Sequence, residues 1–138
     1  MILKLLLITL IGGFLIGTVY FRYVTVPAKH FAERAVATET GVVTSFGGHR
    51  VTIPALSEDE LATLLDLIQA TPRTHEIENH LPDTRIFVHR SLAWGFPDVT
   101  HVMLTQDTLT LDGHLVYGRS DLGVNKARID GWLNGLQG

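Results

Sequence analysis

A chain of 138 residues supports one domain, and an apolar N-terminal segment still leaves enough residues to close a modest core. Its 11 basic and 14 acidic side chains give a net charge of −3, and the cations are scattered, which argues against a nucleic-acid-binding footprint. The absence of cysteine excludes disulfides, thiolate metal sites and thiol catalysis, and leaves the compartment open.

From Leu5 to Phe21 no charge interrupts an apolar run bounded by Lys4 and Arg22. As a helix rising about 1.5 Å per residue it spans about 26 Å, close to a bilayer core, with Tyr20 and Tyr23 suited to the interface. Residues 1–23 are therefore expected to form a transmembrane anchor. A cleaved signal peptide is the competing reading, but no small-x-small site directly follows Phe21. Lys4 on one side and Arg22, Lys29 and Arg34 on the other leave the orientation nearly open. Thr9, Gly13 and Gly17 recur at the spacing of a small-residue stripe on which a second membrane helix packs closely, from a partner protein or a second copy.

Residues 24–41 mix Pro27 with alanines and charges and read as a juxtamembrane linker that sets distance, with one short helix over Ala28 to Val36. Residues 42–138 are expected to form the folded domain. Val42 to Ile53, broken by Gly47-Gly48, has the pattern of a hairpin turning on the positive φ that glycine allows. Ser57 and Glu60 form a capping box ahead of Leu61, Leu64, Leu65 and Ile68, whose spacing gives a helix with one apolar face, ended by Pro72. Thr74 to Asn79 and Arg85 to Leu92 flank a turn at Leu81-Pro82-Asp83 and pair as antiparallel strands. Val99 to Thr105 supplies another strand. Thr108 to Leu111 and His114 to Tyr117 are read as a hairpin turning at Asp112-Gly113. Strands without βαβ alternation, punctuated by two helices, predict an α+β fold: an antiparallel sheet with two helices packed on one face, preceded by the transmembrane helix.

The densest chemistry lies in Tyr117-Gly118-Arg119-Ser120-Asp121-Leu122-Gly123-Val124-Asn125-Lys126-Ala127-Arg128-Ile129, a turn feeding a helix N-terminus. Asn125 is the expected cap, with Val124 and Ile129 closing as a hydrophobic staple and the helix running from Lys126; Ser120 is the competing cap. The helix should bury Ile129, Trp132, Leu133 and Leu136, with Gly131 and Gly135 marking a close approach or fraying near the chain end.

Tyr117 to Leu133, with Thr71-Pro72-Arg73-Thr74 and Trp94-Gly95-Phe96-Pro97-Asp98, resembles the bacterial family known as domain of unknown function 1499. The most specific part is Ser120 to Asn125 with Lys126 and Arg128 after it. The resemblance implies the fold and an envelope location, and carries no activity. The chain departs from the family pattern where Asp98 is followed by Val99, since many relatives have paired acids there.

Arg119, Ser120, Asp121, Gly123, Asn125, Lys126 and Arg128, with Asp98, are the candidate site. They surround helix N–H groups that favour a small anion, or else they cap the helix and lock it to the sheet. Ser120 and Asp121 with a distant histidine lack the Gly-x-Ser-x-Gly elbow of a hydrolase, so no catalytic residue is assigned. His75 and His80 have the wrong spacing for a zincin, whereas His89, His101 and His114 would converge if their strands are neighbours; no metal and no cofactor is expected. Trp94 and Phe96 are read as closing one end of the core while Asp98 fixes the turn, with a recognition lip above the sheet as the alternative. The expected role is binding or scaffolding by a single-pass domain in the bacterial inner membrane, on the periplasmic side, with the lipid bilayer as partner. The alternatives are a hydrolase or transferase acting on an anionic envelope substrate, and an interaction subunit working through its membrane helix.

Overall fold

The computed structural model describes residues 1–138. Helix α1 (Ile2–Tyr23) leads through a 3-10 turn (Ala28–Phe31) to strands β1 (Gly41–Ser45) and β2 (Gly48–Pro54) and helix α2 (Glu58–Ala70). Strands β3 (Thr74–Ile77), β4 (Thr84–Arg90), β5 (Pro97–Leu104) and β6 (Thr108–Leu115) follow, then helix α3 (Val124–Gly135). The strands make one six-stranded sheet, in the order β1-β2-β6-β5-β4-β3, with every neighbouring pair antiparallel. The fold is α+β.

Cross-strand partners share a face, so the pairings of Leu111 with Val51 and with Val102 carry one apolar surface across β2, β6 and β5. Phe87 and Leu109 extend it, and Leu64 and Ile68 of α2 join Ile129 and Trp132 of α3 in the same core cluster. The capping box starts α2 as expected: Ser57 Oγ accepts from the Glu60 N–H, and the Glu60 carboxylate accepts from the Ser57 N–H. At its other end, Thr71 Oγ1 accepts from the Trp132 indole N–H at 2.8 Å, tying α2 to α3. Where those helices touch, a Cβ on Gly135 would meet Leu67 at 3.0 Å, so Gly135 is the close approach, while Gly131 faces open space.

Four local expectations are corrected. The Asp112-Gly113 pair is no turn but the middle of β6, between β2 and β5. Asp112 is tolerated there because Arg34 Nε at 2.6 Å and Arg50 Nη2 at 2.5 Å donate to it, and Gly113 because Asn125 and Ile129 lie where its Cβ would be. The β1–β2 hairpin exists, but its loop is Phe46-Gly47, and neither Gly47 nor Gly48 has a positive φ. Lack of space explains them: a Cβ on Gly48 would lie 2.7 Å from the Gly113 carbonyl oxygen, and one on Gly47 2.9 Å from Leu115.

The segment after α1 is the third correction. Its helix is only the 3-10 turn, and it does not act as a bare spacer. Val26 and Phe31 cover Ile86, Val88 and Val99 on the second face of the sheet, and Arg34 reaches Asp112. The fourth concerns α3, which begins at Val124 with Gly123 as N-cap in a left-handed conformation. Asn125 lies inside the helix, fully buried, and the capping carboxylate belongs to Asp121.

By length and composition α1 can cross a membrane, as an export signal of similar length could.

Candidate functional site

At one end of the sheet the last turn of α1 meets the β4–β5 loop and the β6–α3 turn. Arg90, closing β4, fastens the first of these: Nη1 donates to the Phe21 carbonyl at 2.7 Å and Nη2 to the Val24 carbonyl at 2.8 Å. The same Nη1 reaches the Gly95 carbonyl at 3.2 Å, while Arg22 Nη2 donates to the Leu92 carbonyl at 3.0 Å. Helix ends leave carbonyls without intrahelical partners, and Arg90 satisfies two of those at the end of α1. Gly95 has a φ of +73° and lies so close to the helix that a Cβ would sit 2.7 Å from Arg22 Cα. Only glycine meets both conditions. Phe21 then packs on Phe96 with ring centroids 4.3 Å apart and on Tyr117 at 5.9 Å, and Trp94 lies on Phe14 at 4.5 Å and over Gly17.

The β6–α3 turn is organised by Asp121. Its Oδ1 accepts from the Gly123 N–H at 3.0 Å, and Oδ2 accepts from the Asn125 N–H at 3.0 Å and from Asn125 Nδ2 at 2.8 Å. Burial alone would push the Asp121 carboxyl up; the Asn125 and Gly123 donors outweigh it and hold the group below the ordinary carboxylate value. Ser120 Oγ accepts from the Leu122 N–H at 3.2 Å, and the Asp121 N–H donates to the Phe46 carbonyl, pinning the turn to the β1–β2 hairpin. Between them Leu122 has a φ of +53° and is 90 % exposed.

From Asp121 the polar chain runs inward. Asn125 Oδ1 accepts from Arg128 Nη1 at 2.8 Å, and Arg128 Nη2 donates to Asp98 Oδ2 at 3.3 Å. Burial raises the Asp98 carboxyl despite Arg128, and lowers the Arg128 guanidinium despite Asp98, as desolvation does to a largely enclosed pair. Lys126 pairs with Asp130 one turn on, and Arg119 is exposed, so these two cations stand away from the chain of contacts.

These elements enclose a hollow of about 580 Å³. Its wall is mainly apolar, with Phe21, Trp94, Phe96, Tyr117, Leu122 and Val124 prominent, and Asp98, Ser120 and Asp121 at its polar side. Three of the sequence candidates therefore line it. Asn125, Gly123 and Arg128 support it from behind, whereas Arg119 and Lys126 do not line it. Arg90 and Phe21 are essential to the arrangement and were invisible in sequence, because neither belongs to a motif; Trp94-Gly95-Phe96 carried a signal in its glycine between two large rings. On α1, Thr9 and Gly13 are exposed while Gly17 is partly covered by Trp94, which leaves a shorter stripe for any second helix.

A separate polar cluster occupies the second face. His30 Nδ1 is hydrogen-bonded to His114 Nε2 at 3.2 Å, and His101 Nε2 donates to the His30 carbonyl at 2.9 Å. Of the three strand histidines whose convergence depended on register, only His101 and His114 come together. His89 points to the opposite face, bonded to Thr74 and Thr100 beneath Trp132, because it stands in register with Asp98 while His101 stands in register with Asp112. Burial, aided by Arg34, pushes His114 down to about 4; burial, aided by Arg128 and His75, pushes His89 down to about 3. No group of three or more histidines and carboxylates is arranged to hold a metal ion.

The geometry defines a class: a small antiparallel α+β domain clamped to an apolar N-terminal helix, with an aromatic-walled hollow at the junction. Within it, the chain belongs to the family described as "Protein of unknown function (DUF1499)", whose profile matches residues 35–136. That span includes the Trp94 loop and the whole of the β6–α3 turn, and leaves α1 and the 3-10 turn outside it. No curated protein matches the chain.

Proposed function

We propose that the protein is a binding or scaffolding domain without a catalytic role, anchored by α1 in the bacterial inner membrane with its sheet on the periplasmic side. One observation carries this reading: each polar side chain that the motif offers to the hollow is already engaged within the protein. Asp121 holds Gly123 and Asn125, Ser120 holds Leu122, and Asp98 holds Arg128. A general base or nucleophile must present a lone pair to its substrate within hydrogen-bond reach, whereas Ser120 and Asp121 present theirs to the turn and Asn125, and Asp98 Oδ2 faces Arg128. A small anion at the start of α3 would have to displace the Asp121 carboxylate, which already serves the N–H groups there. Length and composition of α1 support the anchor.

Photo-crosslinking of the full chain in native membranes tests the reading. The expected outcome is defined adducts from Trp94 or Leu122 positions to membrane components, together with protease protection consistent with a periplasmic sheet. The reading fails if Asp98→Asn or Asp121→Asn abolishes a measurable turnover while leaving stability unchanged. That result would favour the hydrolase or transferase reading, for which one feature speaks: Asp98 is a carboxyl raised by burial beside a hollow. The membrane-helix reading rests on Gly13, whose surroundings are open, and Gly13→Leu alone should abolish partner co-purification if it holds.

A further inference from the structure

The fit between α1 and the β4–β5 loop fixes how deep the domain sits, and this inference rests on the reading of α1 as a membrane anchor. Trp94 packs edge-on against Phe14, nine residues before the helix ends at Tyr23, which is roughly 13 Å along the axis. A hydrocarbon core about 30 Å thick needs about 20 helical residues. The charge-free run from Leu5 to Phe21 is bounded by Lys4 and Arg22, and Phe14 stands near its middle, so an α1 that spans the bilayer carries the Trp94 ring packed on Phe14 below the water interface. The Trp94 ring must then lie in the same leaflet as the last turns of α1, while Gly95 beside it stays at the level of Arg22.

The surface at that depth is suited to lipid. Leu122, 90 % exposed, lines the hollow with Trp94 and the exposed Val124, and Leu92, two residues before Trp94 on the same loop, is 72 % exposed. Large apolar side chains gathered in this way are unusual on a water-facing surface and ordinary on an interfacial one. Leu122 is held there in a left-handed conformation that disfavours any side chain, so the turn places an apolar group outward at some conformational expense. Arg22 and Arg119, both exposed, stand on either side of the junction, where lipid phosphates would meet them.

Behind this rim the hollow has a volume of about 580 Å³, inside the range of about 300–1,000 Å³ typical of small-molecule sites. We infer that it takes the acyl chain of a phospholipid from the leaflet around α1, entering between Trp94 and Leu122 and ending against Phe96 and Tyr117. The chain is the occupant because the opening faces hydrocarbon, the wall is apolar and aromatic, and the polar groups at its edge are engaged with one another.

The test uses the full-length protein in phosphatidylcholine vesicles carrying a trace of lipid with a photoreactive diazirine at the acyl terminus, with adducts mapped by peptide mass spectrometry. The expected result is labelling of Phe96, Leu115 or Tyr117 in addition to α1. Ala93→Trp, which sets a ring in the mouth, should reduce labelling in the hollow several-fold and leave labelling of α1 unchanged, with its thermal unfolding checked against the parent. Adducts confined to α1 and the Leu92–Trp94 rim would overturn acyl-chain entry while leaving the anchor intact. A chain with no adduct on α1 would overturn the anchor itself.

Discussion

Asp121 illustrates how a single side chain decides the site. By serving two backbone N–H groups and one side-chain amide it replaces the cap that the sequence suggests at Asn125, and frees Asn125 to be buried under the sheet. Asp121→Ala should therefore destabilise the detergent-solubilised protein by about 1–2 kcal/mol, measured as a shift in urea midpoint. Because its folded carboxyl titrates below the unfolded value of 3.8, its contribution is full above that value and is lost as pH falls through the lower, folded one. Leu122 presents the reverse case. With the side chain 90 % exposed and φ at +53°, Leu122→Gly loses little packing in detergent and gains freedom from the left-handed penalty, so it should stabilise by about 1 kcal/mol. His114 gives a pH signature: neutral in the fold down to about 4 against 6.5 when unfolded, it makes stability fall as pH drops through that window. His30, His101 and His89 act in the same direction, and Asp98, raised by burial, opposes them at the acid end. His114→Gln should flatten the slope of urea midpoint against pH between 6.5 and 4.

Among the elements, those governed by local chemistry were legible. The α2 helix follows from its capping box and apolar spacing, and the β3–β4 pair from the turn at Pro82-Asp83. The errors lie where a partner distant in sequence decides. Asp112-Gly113 has the composition of a tight turn, yet two arginines neutralise the acid and a helix fills the space over the glycine, so the strand continues. His30 joined the histidine cluster from a segment with no periodicity at all. Likewise the motif's own residues were identified, but the hollow they line was not, since more than a third of its wall comes from α1 and the Trp94 loop. Gly95 is the element-level test of that junction. Gly95→Ala adds a left-handed penalty and a Cβ 2.7 Å from Arg22 Cα, and should loosen α1 from β4, read as faster tryptic cleavage after Arg22 with the sheet otherwise intact.

Taken as one object, the molecule has two covers over one sheet: α2 and α3 supply the larger cluster, and the segment after α1 supplies the smaller. Helix α1 is part of the second cover's attachment, so removing residues 1–23 should do more than shorten the chain. Phe96, Tyr117 and Trp94 would lose Phe21 and Phe14, and the truncated domain should self-associate, seen as a concentration-dependent shift in gel filtration. A monomer of unchanged thermal stability would contradict this account of the junction.

Arg90 has one more consequence. A guanidinium that grips the backbone on both sides of a helix terminus, with a glycine wedged against the same turn, leaves no hinge between rod and slab. If α1 spans a bilayer as proposed, then in a thinner one, where a long apolar rod leans to shorten its projection, the slab leans with it, and its far edge swings through a much larger arc than the rod's own displacement.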